Sequence, residues 1–141
     1  CSYAQGMDLL RTASAANGWN LDLAEIARIW KGGCIIRARF LDRIQQAFSE
    51  EPDLDNLLLD TQLGGWIAEH QISWRRVLAV AAEHGVPVLA HSASLSYFDS
   101  YRRDRLPQNL TQAQRDYFGA HTYERVDRPE GEFFHSDWPS S

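Results

Sequence analysis

Lysine is almost missing from this chain: Lys31 stands alone against thirteen arginines. Its cations are therefore nearly all planar guanidinium forks, a geometry matched to carboxylates and phosphates. A bias in the base composition of the genome accounts for the same imbalance equally well. Acidic groups still outnumber basic ones, and the formal net charge is −5. Nonspecific nucleic-acid binders displace counterions with positive charge, so no nucleic-acid partner is expected. Cysteine is also scarce. Cys1 and Cys34 supply no disulfide framework, and Cys34 lies in the apolar run Gly33-Cys34-Ile35-Ile36, where a free thiol packs as a small hydrophobe. A cytoplasmic setting is the expectation. No apolar run approaches the ~18 residues of a membrane-spanning helix, and no secretory leader precedes the first helix, so no membrane partner is expected. The chain does not open on methionine, and the expectation is a piece of a longer protein.

Several chemical signatures are absent as well. His70, His84, His91, His121 and His135 are far apart, and neither HExxH nor CxxC occurs, so no metal site is predicted. The serines of His91-Ser92-Ala93-Ser94 fall on a helical stretch without the sharp turn of a nucleophile elbow. No GxGxxG follows a strand, so no dinucleotide fingerprint is present. Lys31 is the only candidate lysine base. Its place beside Gly32, closing a helix, reads instead as a cation set against exposed carbonyls.

What remains is an ordinary globular composition. Apolar residues make up 44% and charged residues 23%, too much hydrophobicity for disorder, in a length that buries a real core. The periodicity is helical from the start. Tyr3, Met7, Leu10 and Ala13 predict a helix over 2–17, stopped by Gly18. Leu23, Ile26, Ala27 and Trp30 form the cleanest amphipathic stripe, ended by Gly32-Gly33. A third helix is predicted from near Cys34, carrying Ile36, Phe40, Ile44 and Phe48. Leu54 to Leu59 read as a short apolar helical turn. Asp60 or Thr61 caps a long helix with Ile67, His70, Trp74, Val77, Leu78 and Ala81, and His70 is expected as a hydrogen-bonded core residue. Gly64-Gly65 read as helix punctuation. After Gly85 and Pro87 comes a helix presenting Leu89, Ala93, Tyr97 and Tyr101, which stops before Pro107. Asn109 or Thr111 opens the last helix, which runs to about Phe118 and breaks at Gly119. The tail from His121 to Ser141 keeps Phe133, Phe134 and Trp138, too aromatic for disorder. One short extended stretch lying against something is expected there. The predicted class is all-α: a multi-helix domain with a short extended C-terminal tail.

The arginine clusters Trp74-Arg75-Arg76 and Arg102-Arg103-Asp104-Arg105 read as solvated faces with salt bridges, although Arg102 and Arg105 also suit an anion. The stretch Gln114-Arg115-Asp116-Tyr117-Phe118-Gly119-Ala120-His121 is more pointed. Arg115 lies near the end of a short helix, Gly119 allows a sharp turn, and His121 follows. A guanidinium fork and an imidazole there can converge on one phosphate. The plainer alternative is a salt bridge between Arg115 and Asp116.

Several runs in order resemble the 6-phosphogluconate dehydrogenase family. They are Ser2-Tyr3-Ala4-Gln5-Gly6, Gly32-Gly33-Cys34-Ile35-Ile36-Arg37, Asn56-Leu57-Leu58-Leu59-Asp60, Ser73-Trp74-Arg75-Arg76, Arg105-Leu106-Pro107 and, above all, Gln112 to Tyr123. The resemblance covers nearly the whole chain. It implies the C-terminal part, residues 1–141, of the helical domain of an enzyme that passes a hydride from 6-phosphogluconate to NADP and releases carbon dioxide and ribulose 5-phosphate in the pentose phosphate pathway. The family's Rossmann domain, catalytic lysine and glutamate, and Lys-Gly-Thr-Gly motif come earlier in its chain. None of these is present here, and Lys31 does not match the lysine, so no catalytic residue and no NADP site are expected in this piece, which alone should be inactive. Carried over residue by residue, Arg115 and His121 match the arginine and histidine that hold the substrate phosphate in the partner subunit of a homodimer. The segment around Phe133, Phe134, His135 and Trp138 resembles the tail that threads into that partner, and Pro139-Ser140-Ser141 resembles the short bacterial ending. Two readings stay open beside this one: a noncatalytic helical association module, and a relative acting on another β-hydroxy acid.

Overall fold

A computed structural model describes residues 1–139; Ser140 and Ser141, with the chain ending they represent, lie outside the described residues. The chain divides into two compact units, Cys1–Asp99 and Ser100–Ser141. Among the described residues the regular structure is six α-helices and one pair of two-residue strands, so the all-α expectation holds.

The first unit is built on an apolar cluster. Helix α1 (Ser2–Asn17) contributes Ala4 and Met7, and its end is set by Gly18 at φ 66°, a conformation glycine adopts freely. Helix α2 (Leu23–Ile29) starts where the Asp22 carboxylate accepts the Glu25 N–H at 3.0 Å. Helix α3 (Phe40–Glu50) buries Leu41, Ile44, Ala47 and Phe48 on one stripe. It begins later than the pattern from Cys34 predicted. Residues 30–39 form turns instead, and Lys31 Nζ leaves the α2 end to bond Asp42 at 2.8 Å and Gln45 at 2.6 Å. The lysine thus ties a turn to α3 rather than neutralising helix carbonyls.

Leu54 to Leu59 are turns, not a helical turn, yet Leu54 and Leu57 are buried in the same cluster. Asn56 holds this loop: its Oδ1 accepts the Leu58 N–H at 3.0 Å and its Nδ2 donates to Tyr97 at 2.7 Å. Asp60 caps helix α4 (Thr61–Glu83), accepting from Gln62 and Leu63. Gly64 lies inside α4 and does not punctuate it. A Cβ there would stand 2.3 Å from the Leu58 carbonyl oxygen, so close backbone approach is what requires glycine. Arg75 on α4 makes a two-pronged pair with Asp99 on helix α5 (Leu89–Tyr101) at 2.5 and 2.8 Å. His70 is not a core residue. It is exposed on α4, with Nδ1 2.8 Å from the Trp66 carbonyl and its ring 5.0 Å from the indole.

The second unit holds helix α6 (Asn109–Gly119) and strands β1 (Tyr123–Glu124) and β2 (Phe133–Phe134), paired antiparallel with Tyr123 opposite Phe134. The tail is therefore a folded-back pair of short strands and not one extended stretch.

Candidate anion site at the end of the last helix

Helix α6 assigns neighbouring residues to opposite surroundings because each residue turns the helix by about 100°. Asp116 is fully buried, whereas Arg115 beside it is exposed. The Asp116 carboxylate accepts four hydrogen bonds. Oδ1 receives the Thr122 N–H at 3.0 Å and His135 Nδ1 at 2.9 Å; Oδ2 receives the Ser136 N–H at 3.0 Å and Trp138 Nε1 at 2.9 Å. Burial by itself raises the pKa of a carboxyl group. Here the bonds from Ser136, His135 and Trp138 outweigh it and hold Asp116 well below the usual carboxylate range.

With both oxygens so engaged, Asp116 is not the partner of Arg115, and that alternative is excluded. Among the described residues Arg115 bonds only Gln112, Nη1 to Oε1 at 3.3 Å. Its guanidinium keeps most of its donors for solvent or a ligand.

The helix ends on Ala120 at φ 48°, not on Gly119, and Thr122 follows at φ 60°. Left-handed backbone costs an L-residue roughly 1–2 kcal/mol, and a β-branched residue there is an outlier. Such strain clusters at functional sites. His121 sits between these two residues. Its Nε2 and Cδ2 lie 3.1 and 3.2 Å from where a Cβ on Gly119 would stand, so the imidazole rests on the bare backbone of Gly119. Gly119 is four residues after Arg115 and shares its helix face. The structure thereby sets the His121 ring one turn beyond Arg115 along that face, with no buried wall over either side chain.

Three contributors to this arrangement were not read from the sequence. Gln112 donates from Nε2 to the Thr122 carbonyl at 2.5 Å while its Oε1 meets Arg115. Asp116 anchors the turn, and Gly119 makes room for the ring. The i, i+3 spacing of Gln112 and Arg115 was a usable signal; the Asp116 partners twenty residues onward gave none.

An apolar hollow of about 440 Å³ lies elsewhere, in the first unit, lined by Trp66, Ile67, His70, Trp74, Ala90 and His91 among others, and no arginine or lysine lines it, so it does not suit an anion. Among the described residues no group of three or more His, Cys, Asp or Glu side chains is placed to hold a metal ion. Among the described residues no helix is long and apolar enough to cross a membrane.

The family model described as 6-phosphogluconate dehydrogenase, C-terminal domain, matches residues 1–138. The chain belongs to this family. A decarboxylating 6-phosphogluconate dehydrogenase of Synechococcus elongatus is 64% identical over 138 residues, 98% of this chain and 29% of the relative. A chloroplastic form from rice, Oryza sativa subsp. japonica, is 60% identical over the same share of this chain and 27% of its own length. Among solved structures, the 6-phosphogluconate dehydrogenase of Plasmodium falciparum, studied apo, with its cofactor NADP+ and with its substrate 6-phosphogluconate, is 47% identical. It superposes with a TM-score of 0.88 over 97% of this chain and 29% of that one. The chain thus spans under a third of the length of the relatives it matches.

Proposed function

We propose that residues 1–141 are the substrate-phosphate-binding and dimer-forming C-terminal part of an NADP-dependent, decarboxylating 6-phosphogluconate dehydrogenase acting in the pentose phosphate pathway (the pentose shunt, with gluconate utilisation). The observation that carries this is the placing on one helix face of Arg115, which has no carboxylate partner among the described residues, with the His121 imidazole seated on Gly119. A guanidinium fork takes two oxygens of a phosphate monoester and an imidazole N–H takes a third, which fixes the substrate's anionic end. The hydride transfer and decarboxylation belong to groups outside this chain. Among the described residues the regular structure has no βαβ unit, and the sequence has no GxGxxG. NADP, which would accept the hydride, is held elsewhere in the full-length enzyme, and this piece alone turns over nothing.

The homodimer is part of the same proposal, with Arg115 and His121 serving the partner's active site. Support comes from helix α4, where Trp66, Ile72, Val77 and Val80 are 59, 62, 59 and 53% exposed. A helix apolar over most of its circumference is one that ordinarily lies buried. The buried Trp74 Nε1 also finds no acceptor among the described residues. A cytoplasmic location is proposed for this protein, while relatives from rice, spinach and Arabidopsis include chloroplastic forms.

Replacing Arg115 by alanine in the full-length enzyme tests the phosphate role. A charge-assisted contact of about 2–3 kcal/mol predicts a rise of roughly 30- to 150-fold in the KM for 6-phosphogluconate. Turnover of unphosphorylated gluconate should be indifferent to the change. An unchanged KM for 6-phosphogluconate would reject the assignment and leave a noncatalytic association module. Equal losses on both substrates would point to another β-hydroxy acid.

A further inference from the structure

The turn that carries His121 is gripped at both faces of one residue. The Thr122 N–H donates to Asp116 Oδ1 at 3.0 Å, and the Thr122 carbonyl accepts from Gln112 Nε2 at 2.5 Å. On either side of His121 the backbone is left-handed, at Ala120 and at Thr122, a conformation that a short unsupported turn leaves readily. We propose that Asp116 and Gln112 are positioning residues for the anion site: by clamping Thr122 they hold the left-handed turn that sets the His121 imidazole over Gly119, on the face of Arg115.

This rests on the phosphate reading of Arg115 and His121. It adds the means by which the ring is aimed. Gln112 is suited to the task because its Oε1 also meets the Arg115 guanidinium at 3.3 Å, so one side chain touches both halves of the site. Asp116 is suited because both its oxygens are saturated, two donors on each. The tail donors His135, Ser136 and Trp138 fix the carboxylate, and the carboxylate fixes Thr122. An amide in that place retains one acceptor oxygen and turns the other position into a donor facing two donors. Asp116→Asn therefore loosens either the turn or the tail that braces it. Neither side chain need touch the substrate, so the effect of Asp116 must pass through His121, and that of Gln112 through His121 and, by its contact with the guanidinium, in part through Arg115.

A double-mutant cycle in the full-length enzyme reads this out. Steady-state kinetics are compared for the wild type, D116N, H121A and the double variant, and again with Q112A in place of D116N. D116N should raise the KM for 6-phosphogluconate about tenfold, the weight of one lost hydrogen-bonded contact. The kcat and the KM for NADP should stay within about twofold, because only the placement of one phosphate-binding ring is disturbed. In the H121A background the same substitution should add less than about twofold, since groups acting through one side chain are not additive. Q112A should give a smaller rise, most of it lost in the H121A background and the remainder left by its contact with Arg115. Because Gln112 is only half-buried, its cycle decides the matter if D116N fails to fold. An equal rise in KM with and without His121 would overturn the proposal, as would an unchanged KM in both D116N and Q112A while H121A raises it. In that last case the phosphate reading stands and only the positioning role falls. A KM unaffected by H121A itself would remove the phosphate reading and this inference with it.

Discussion

At the scale of single residues, α6 shows how little sequence distance says about role. Arg115 and Asp116 are adjacent, yet one is solvent-facing and the other is the best-satisfied carboxylate in its unit. The motif around them pointed to Arg115 and His121 directly, because a guanidinium and an imidazole near a helix end are chemically conspicuous. It misjudged Asp116, which looked like a salt-bridge partner. What excludes that pairing is four donors arriving from a turn and a tail, a pattern invisible to local spacing. Gly119 is legible only as a breaker, whereas it ends up inside the helix as the seat of an imidazole. This argues a separable outcome for Gly119→Ala. Alanine suits a helix better than glycine by about 1 kcal/mol, so the melting temperature should hold or rise. The new methyl would stand 3.1 Å from His121 Nε2 and push the ring off its place, raising the KM for 6-phosphogluconate by several fold. A lowered melting temperature with an unchanged KM would contradict this reading.

At the scale of elements, helices with a clear stripe were readable and the connections were not. The cap at Asp60, the stop at Gly18 and the span 2–17 follow from local chemistry. The start of α3 was misplaced because Ile36 continues the apolar spacing of Phe40, Ile44 and Phe48. Ile36 instead ends up in a turn whose carbonyl takes the Tyr3 hydroxyl at 2.9 Å. The tail announced its order through its aromatics but not its hairpin form, since the pairing of Tyr123 with Phe134 is a contact across the chain. The latch on that tail carries a pH signature. Unfolded, Asp116 takes up a proton near the ordinary carboxylate value of about 4; folded, it does so only at considerably lower pH. Its contribution is complete at neutral pH, begins to decline as pH falls through about 4, and is lost as pH drops further through the folded value. Near-UV circular dichroism should therefore lose a tryptophan component below about pH 4 that Trp138→Phe lacks. The same loss in Trp138→Phe would assign the component to another tryptophan and remove the latch.

At the scale of the whole molecule, many large apolar side chains lie exposed. Beyond α4, the residues Ile35, Leu89, Leu110, Phe118 and Val126 are all largely exposed. Exposed apolar area of this kind marks association surfaces. Purified as 141 residues, the chain should sediment as concentration-dependent oligomers and bind a hydrophobic dye. Charged substitution at Trp66, Val77 and Val80 should suppress both. A monodisperse monomer that stays dark with the dye at high concentration would count against an unpartnered α4.

The sequence by itself determined the helical class, the stop at Gly18 and the cap at Asp60, because these follow from periodicity and from side-chain chemistry a few residues apart. Only the tertiary structure decided that Asp116 belongs to the tail, that Gly64 answers to the Leu58 carbonyl, and that Gln112 and Asp116 both bond Thr122. Each of those depends on where distant backbone groups come to rest, and a buried donor or acceptor takes whichever partner the packing brings within reach.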